Sequence, residues 1–231
     1  MGSIHRAGVF LLVASAGMLA AAPVPPKPND TEVSLPAAKL LRHRKVQKAL
    51  NLSAEQRIAV IDGLADLDED YNRRLNALLK RKDATDEALE KLEGQRDAAT
   101  GKFFRRIASK TLTAEQRTRL RQLDRQLRGP AAAADPAVQA ALQLTAAQKK
   151  TAADLAGQLR LKAIAYLDKF GHDDADNLKE DLLKFRSAAA KTLDAVLTPD
   201  QRAAWKALLG PPVSGIDPVA LWLSELEETD Q

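Results

Sequence analysis

The chain has 231 residues, 45% of them hydrophobic but only 4% aromatic, with 29% charged residues, a formal net charge of +4 and no cysteine. An aromatic-poor chain rich in Ala, Leu, Lys, Arg, Gln, Asp and Glu has the composition of helical bundles, and the lack of strand-like alternation of β-branched residues argues against a β fold. Without cysteine there is no disulfide, no thiolate nucleophile and no thiolate metal site.

Residues 1–22 read as an export signal, because His5 and Arg6 precede an apolar run from Ala7 to Ala22 that closes on small residues. That run is short for a membrane span, which needs about 20 residues, so the chain meets a membrane only if the signal is retained as an anchor. Export predicts a periplasmic address. Residues 23–34 follow as a Pro-rich linker, with four prolines between Pro23 and Asp30.

The first helical unit is expected over 35–130. A short basic helix (Ala37 to Leu50) leads into a long one carrying Ile58, Ile61, Leu64, Leu67, Tyr71, Leu75 and Leu78 at three- and four-residue steps. Asp83 to Asp86 interrupts it, and a return helix with Leu89, Leu92, Ala99, Phe103 and Ile107 follows. A shorter helix then stops at Gly129-Pro130, a good termination signal. After a linker from Ala131 to Pro136, residues 137–210 repeat the plan, with a long helix from Ala146 to Phe170, a turn at Gly171 to Asp176 and a last helix ending at Leu209. A tail, 211–231, holds a short helix opened by Asp217 and Pro218, with an apolar patch around Leu221 and Trp222 expected to dock on the bundle.

Four phrases of one type punctuate these elements: Leu52-Ser53-Ala54-Glu55-Gln56, Leu112-Thr113-Ala114-Glu115-Gln116, Leu144-Thr145-Ala146-Ala147-Gln148 and Leu197-Thr198-Pro199-Asp200-Gln201, each followed by Arg or Lys. A Ser or Thr with Gln three residues later is a capping box, and Pro199 suits a first helical position. These residues are therefore read as helix starts. The approach to the first copy, Val46 to Gln56, matches the approach to the third, Val138 to Gln148, at seven of eleven positions. Such repetition predicts an all-α protein of two tandem helical-hairpin units related by internal duplication.

Paired Leu-Thr-x-x-Gln phrases bracketing long helical hairpins, behind an export signal, resemble the Spy/CpxP family of periplasmic proteins. The resemblance implies a small α-helical protein of a kind that forms cradle-shaped dimers and acts as an ATP-independent chaperone, an envelope-stress modulator or a metal-binding sensor. Two such units share one chain here, which implies an intramolecular pseudo-dimer. The family's methionine richness is missing, since only Met1 and Met18 occur, both in the signal.

The leading expectation is an exported, ATP-independent chaperone-like protein that binds unfolded or partly folded envelope proteins through a surface both charged and apolar. Charge steers the encounter. Residues 32–130 hold 22 Lys+Arg against 15 Asp+Glu, and 131–231 hold 11 against 15, so the candidates lie in the first half. They are Arg42, Arg44, Lys45 and Lys48, with Phe104, Arg105 and Arg106 on the return helix. Phe103 is assigned to the core and its neighbour Phe104 to the surface, so that Phe104→Ala should weaken client protection with little loss of stability. One alternative is an envelope-stress or metal-responsive sensor, for which the only ligands would be His172 with nearby carboxylates in the Gly171–Asp176 turn, plus His43. Another is a helical scaffold for a partner such as an envelope signalling protein. No nucleophile elbow, metalloprotease motif or phosphate loop is present, so no enzyme activity, cofactor or metal site is expected. Interspersed acidic residues and the lack of a recognition module argue against a nucleic-acid partner.

Overall fold

In the computed structural model, which describes residues 33–81, 85–169, 175–213, 215–217 and 221–222, the fold is all-α. Among the described residues there is no strand and there are nine α-helices: α1 Leu35–Lys39, α2 Arg44–Ala49, α3 Ala54–Leu79, α4 Asp86–Lys110, α5 Ala114–Arg128, α6 Pro136–Ala141, α7 Ala146–Leu167, α8 Ala175–Val196 and α9 Pro199–Leu209. The 3-10 segments Leu40–Arg42 and Gly129–Ala134 interrupt them. Residues 1–22, and the prolines of the expected linker, lie outside the described residues. Of that linker, Val33 is already buried and Ser34 caps α1 by accepting the Ala37 N–H at 3.4 Å. No described helix is long and apolar enough to cross a membrane.

The four phrases start helices. Ser53, Thr113, Thr145 and Thr198 keep extended backbones and accept the N–H of Gln56, Gln116, Gln148 and Gln201 at 3.2, 3.2, 3.3 and 3.2 Å. Each Gln Oε1 takes the cap residue's own N–H in return, at 2.8, 2.9, 2.9 and 2.9 Å. Two of four otherwise orphaned donors are thus satisfied at every start.

The short helices before the first and third phrases end alike. Asn51 and Gln143 sit at φ 49° and 50°, in the left-handed region. Leu52 N–H then reaches back to the Gln47 carbonyl at 3.1 Å, and Leu144 N–H to that of Gln139 at 3.0 Å. This six-to-one closure is a Schellman motif, and it turns each phrase's leucine into the core: Leu52 and Leu144 are both buried.

Two cores form. In the first, α4 is flanked by α3 on one side and α1 on the other, with α5 also packed on α1. Ala37 and Ala38 of α1 have no exposed surface, so small side chains let that short helix approach closely. In the second, α7 packs on α8, and both pack on the 3-10 segment 129–134. That segment overlaps the expected linker from Ala131 to Pro136, and Pro130, Ala132 and Ala133 are buried in it.

Two expectations about side-chain direction are corrected. α3 buries Val60 fully, with Leu64 and Leu67 partly covered, while Ile58 and Ile61 remain 55% and 53% exposed. The apolar steps beginning at Ile58 thus straddle two faces. Gly63 faces α4 so closely that a Cβ there would stand 2.1 Å from the Phe103 ring. Phe104 is the second correction: it is 1% exposed, in an edge contact with Phe103 at 5.3 Å between ring centroids. Adjacent residues of a helix point about 100° apart, and a helix covered on two sides buries both.

Candidate functional site

The Gln side chains of the phrases do more than cap. In the first half, Gln56 Nε2 donates to Gln116 Oε1 at 2.9 Å and Gln116 Nε2 donates to Gln56 Oε1 at 3.0 Å, a closed amide pair across 60 residues of sequence. The remaining Nε2 hydrogens find main-chain carbonyls: Thr111 for Gln56 at 2.7 Å, and Leu50 for Gln116 at 3.3 Å. In the second half Gln148 and Gln201 do the same, at 2.7 and 3.1 Å, with Val196 O at 2.8 Å and Leu142 O at 3.2 Å. Every donor and acceptor of each amide is used. Arg57, Arg117 and Arg202, the basic residues after three of the phrases, fold back onto the phrase's own leucine carbonyl at 2.7, 2.6 and 2.7 Å. The phrases are clasps that join the open ends of α3 and α4, and of α7 and α8.

Near the first clasp lie the basic candidates. Arg44, Lys45 and Lys48 are exposed on α2. On one side, a groove of about 610 Å³ is lined by Arg44, Gln47, Lys48, Asn51, Leu52, Arg57 and Ile61. On the other, one of about 580 Å³ is lined by Lys45, Lys48, Ala49, Asn51, Arg119 and the C-terminal residues Pro212, Val213, Gly215 and Ile216. The two share Lys48 and Asn51. Each groove is thus bordered by three cations, Lys48 being common to both, and no carboxylate is among the described residues lining either. Glu55 is nearby, its carboxyl held below the usual range first by the Ser53 hydroxyl, which donates to it at 2.7 Å.

The remaining candidates do not join this surface. Arg42 is half-buried and its Nε donates to His43 Nε2 at 3.3 Å. Arg105 is exposed elsewhere on α4. Arg106 sits 5.8 Å over the Phe103 ring and borders a separate cleft of about 400 Å³ with Asp66 and Asp70. Phe104, enclosed in the core, has no surface to offer a client. Residues 170–174, with His172, lie outside the described residues. Among the described residues no group of three or more His, Asp or Glu is placed to hold a metal ion.

A third constellation, between the halves, was not anticipated. Arg186 of α8 is 7% exposed. Its Nη2 donates to the Gln126 carbonyl at 2.9 Å and to that of Leu127, both in the last turn of α5, and the Trp222 ring lies 4.5 Å from its guanidinium. Burial pulls its pKa down to about 10, which leaves it charged at neutral pH. A cation at a helix C-terminus is favoured by the helix dipole. The service is returned by α5, whose Arg125 Nη1 and Gln126 Nε2 bind the end of α9, at Leu208 O (3.2 Å) and Leu209 O (2.7 Å). Gly129 makes the approach feasible: its φ is +55°, and a Cβ would stand 2.7 Å from Arg186 Nη2. The sequence carried a signal for this. Leu182, Arg186, Ala189 and Leu193 form one stripe along α8, and Arg186 is the only charge in it.

Comparison with protein-family models, with curated proteins and with solved structures found no match to this chain.

Proposed function

We propose that this chain is an exported, ATP-independent chaperone-like protein that holds unfolded or partly folded polypeptide on the basic surface around α2. The observation that carries the reading is the pair of adjoining grooves around α2: Arg44, Lys48 and Arg57 border the first, which the half-exposed Ile61 also lines with Ile58 one turn away, and Lys45, Lys48 and Arg119 border the second. Long-range attraction between these cations and acidic client segments raises the encounter rate. Scattered isoleucines then hold apolar residues weakly enough to release them. The resemblance of the four phrases to the Spy/CpxP family supports the same reading, as do the apolar leader and the two clasped helix pairs.

The test is suppression of aggregation of a denatured model client, without ATP, at low and high salt. Protection should fall as salt rises, because exposed charges more than a Debye length of about 10 Å apart at 0.1 M are screened. Arg44→Glu with Lys48→Glu should abolish most protection while leaving thermal stability within about 0.5 kcal/mol, the usual range for surface substitutions. No protection at several-fold molar excess of the unaltered protein would reject the chaperone reading and leave a scaffold for a specific partner.

A further inference from the structure

A second apolar pattern runs along α3, on the side turned away from α4. Ala54, Ile58, Ile61, Ala65, Asp68, Asn72, Leu75 and Leu79 follow one another at steps of four and three residues, the spacing of a coiled-coil seam. Leu75 is half-buried and the other seven are exposed, Leu79 at 58% beside the two half-exposed isoleucines. Val60, Gly63, Leu64 and Leu67, which face the first core, lie on a different side of the same helix. We propose that α3 pairs along this stripe with α3 of a second copy of the chain, side by side and in the same direction, as a two-fold symmetric dimer.

Charge selects that occupant and that direction. With Ile58 and Asn72 at the first position of the seven-residue repeat and Ile61 at the fourth, one flank of the seam carries Glu55, Asp62 and Glu69, and the other begins with Arg57. In a parallel pair opposite flanks meet, so Arg57 faces Asp62 of the second copy, and the two-fold axis makes the contact twice. The Nη1 of Arg57 is spent on the Leu52 carbonyl, which leaves Nη2 for the ion pair. Arg44 and Lys48, which line the first groove with Arg57 and Ile61 and make no ion pair with a described residue, stand on the same basic flank. In an antiparallel pair like flanks meet. Glu55, Asp62 and Glu69 would then be set against their own counterparts, and like charges across an interface are unfavourable.

The composition of the seam agrees. A β-branched residue at the first position, as at Ile58, suits two strands, and a lone Asn there, as at Asn72, fixes register and partner number at a cost in stability. Asp68, at a fourth position, is paired within its own chain with Arg96 at 2.9 Å. The 26 residues of α3 span between three and four repeats, or about 39 Å of helix. The positions that correspond to Ile58, Ile61 and Ala65 through the duplication are Lys150, Ala153 and Gly157, so α7 offers no matching seam within the chain. A second copy on this stripe covers Ile58, Ile61 and the first groove, and leaves the second groove, bordered by Lys45, Lys48 and Arg119, outside the interface.

Sedimentation equilibrium of the full chain without client, from low micromolar to near-millimolar concentration, should show a reversible monomer–dimer equilibrium. Ile58→Glu with Ile61→Glu should leave the melting temperature nearly unchanged and the chain monomeric. Asp62→Arg should raise the dissociation constant of the dimer roughly tenfold, because two exposed ion pairs give way to repulsion, and adding Arg57→Glu should restore it. Direction is read by disulfide trapping, since the chain has no cysteine of its own. Asn72→Cys and Leu79→Cys, each alone, should give a covalent dimer under a mild oxidant, and Ala77→Cys, exposed on another side of α3, should not. A chain monomeric throughout, a dimer indifferent to Ile58→Glu with Ile61→Glu, or trapping of Ala77→Cys as fast as that of Asn72→Cys would overturn the proposal. A dimer without client protection would reject the chaperone reading alone, and client protection by a strictly monomeric chain would reject the dimer alone.

Discussion

Gln56→Glu separates the two jobs of the clasp glutamine in one substitution of nearly equal shape. Glutamate is as good as glutamine at the third position of a capping box, so a residue that only capped α3 would tolerate the change. The new carboxylate keeps its acceptor for the Ser53 N–H but loses both donations, to Thr111 O at 2.7 Å and to Gln116 Oε1 at 2.9 Å. Each lost hydrogen bond is worth about 1 kcal/mol. A negative charge set against two oxygen acceptors adds a repulsion that the half-exposed site partly screens, so the expected loss is about 2–3 kcal/mol at neutral pH. For a chain of this size 1 kcal/mol moves Tm by about 2–4 °C, which gives a drop of roughly 4–12 °C by circular dichroism. The pH profile has a definite sign. Those oxygens raise the new carboxyl's pKa above its unfolded value, so the folded state retains the proton longer. The loss is then small below about pH 4 and grows as pH rises through the raised value. A change under 0.5 kcal/mol at pH 7, or a pH-independent one, would refute the clasp and leave only the cap.

The other predictions concern packing and burial. Phe104→Ala should destabilise by about 3–5 kcal/mol, as expected for emptying a fully buried aromatic site, with any loss of client protection tracking the fraction unfolded in a denaturant titration. Gly63→Ala forces a methyl to within 2.1 Å of the Phe103 ring and should cost about 1–3 kcal/mol, whereas Gly94→Ala and Gly157→Ala, with nothing within 4 Å, should each gain about 0.5–1 kcal/mol in the same urea titration. Gly129→Ala meets both a positive φ and the Arg186 guanidinium, and should lose about 2–4 kcal/mol. Asp124 accepts two bonds from Arg128, at 3.1 and 2.7 Å, yet burial outweighs that partner and raises its carboxyl above 3.8. Its contribution should be full below that ordinary value and decline as pH climbs through the raised one, so Asp124→Asn should flatten this part of a stability-versus-pH curve.

Local signals in the sequence located the helix starts because a capping box is contained in four residues. The pairing of Gln56 with Gln116 was not visible in the same letters, since the amide's second hydrogen bond depends on a partner 60 residues away. Phe104 was misassigned for a related reason. A helix with one covered face does not bury two adjacent side chains fully, and only the fold reveals that α1 covers the other side of α4. Ile58 and Ile61 fit a helical stripe by spacing with Leu64 and Leu67, but in the fold Val60 and Gly63 share the inward face with those leucines, and the two isoleucines stay outside. The basic residues of α2 were legible as a cluster. Their assembly with Arg57, Arg119 and the chain near Ile216 required the tertiary structure.

An alanine-rich junction between two similar stretches invites treatment as a hinge, and therefore as a place to cut, splice or exchange modules. Here the junction is interior. Pro130, Ala132 and Ala133 are buried, and the C-terminal ends of α5 and α9 are closed by side chains from the other half, Arg186 on α5 and Arg125 with Gln126 on α9. The two halves are thus not interchangeable parts. A graft of either onto a foreign neighbour would carry away half of a lock, and substitutions at Gly129, Arg186 and Trp222, which touch one another, should not be additive.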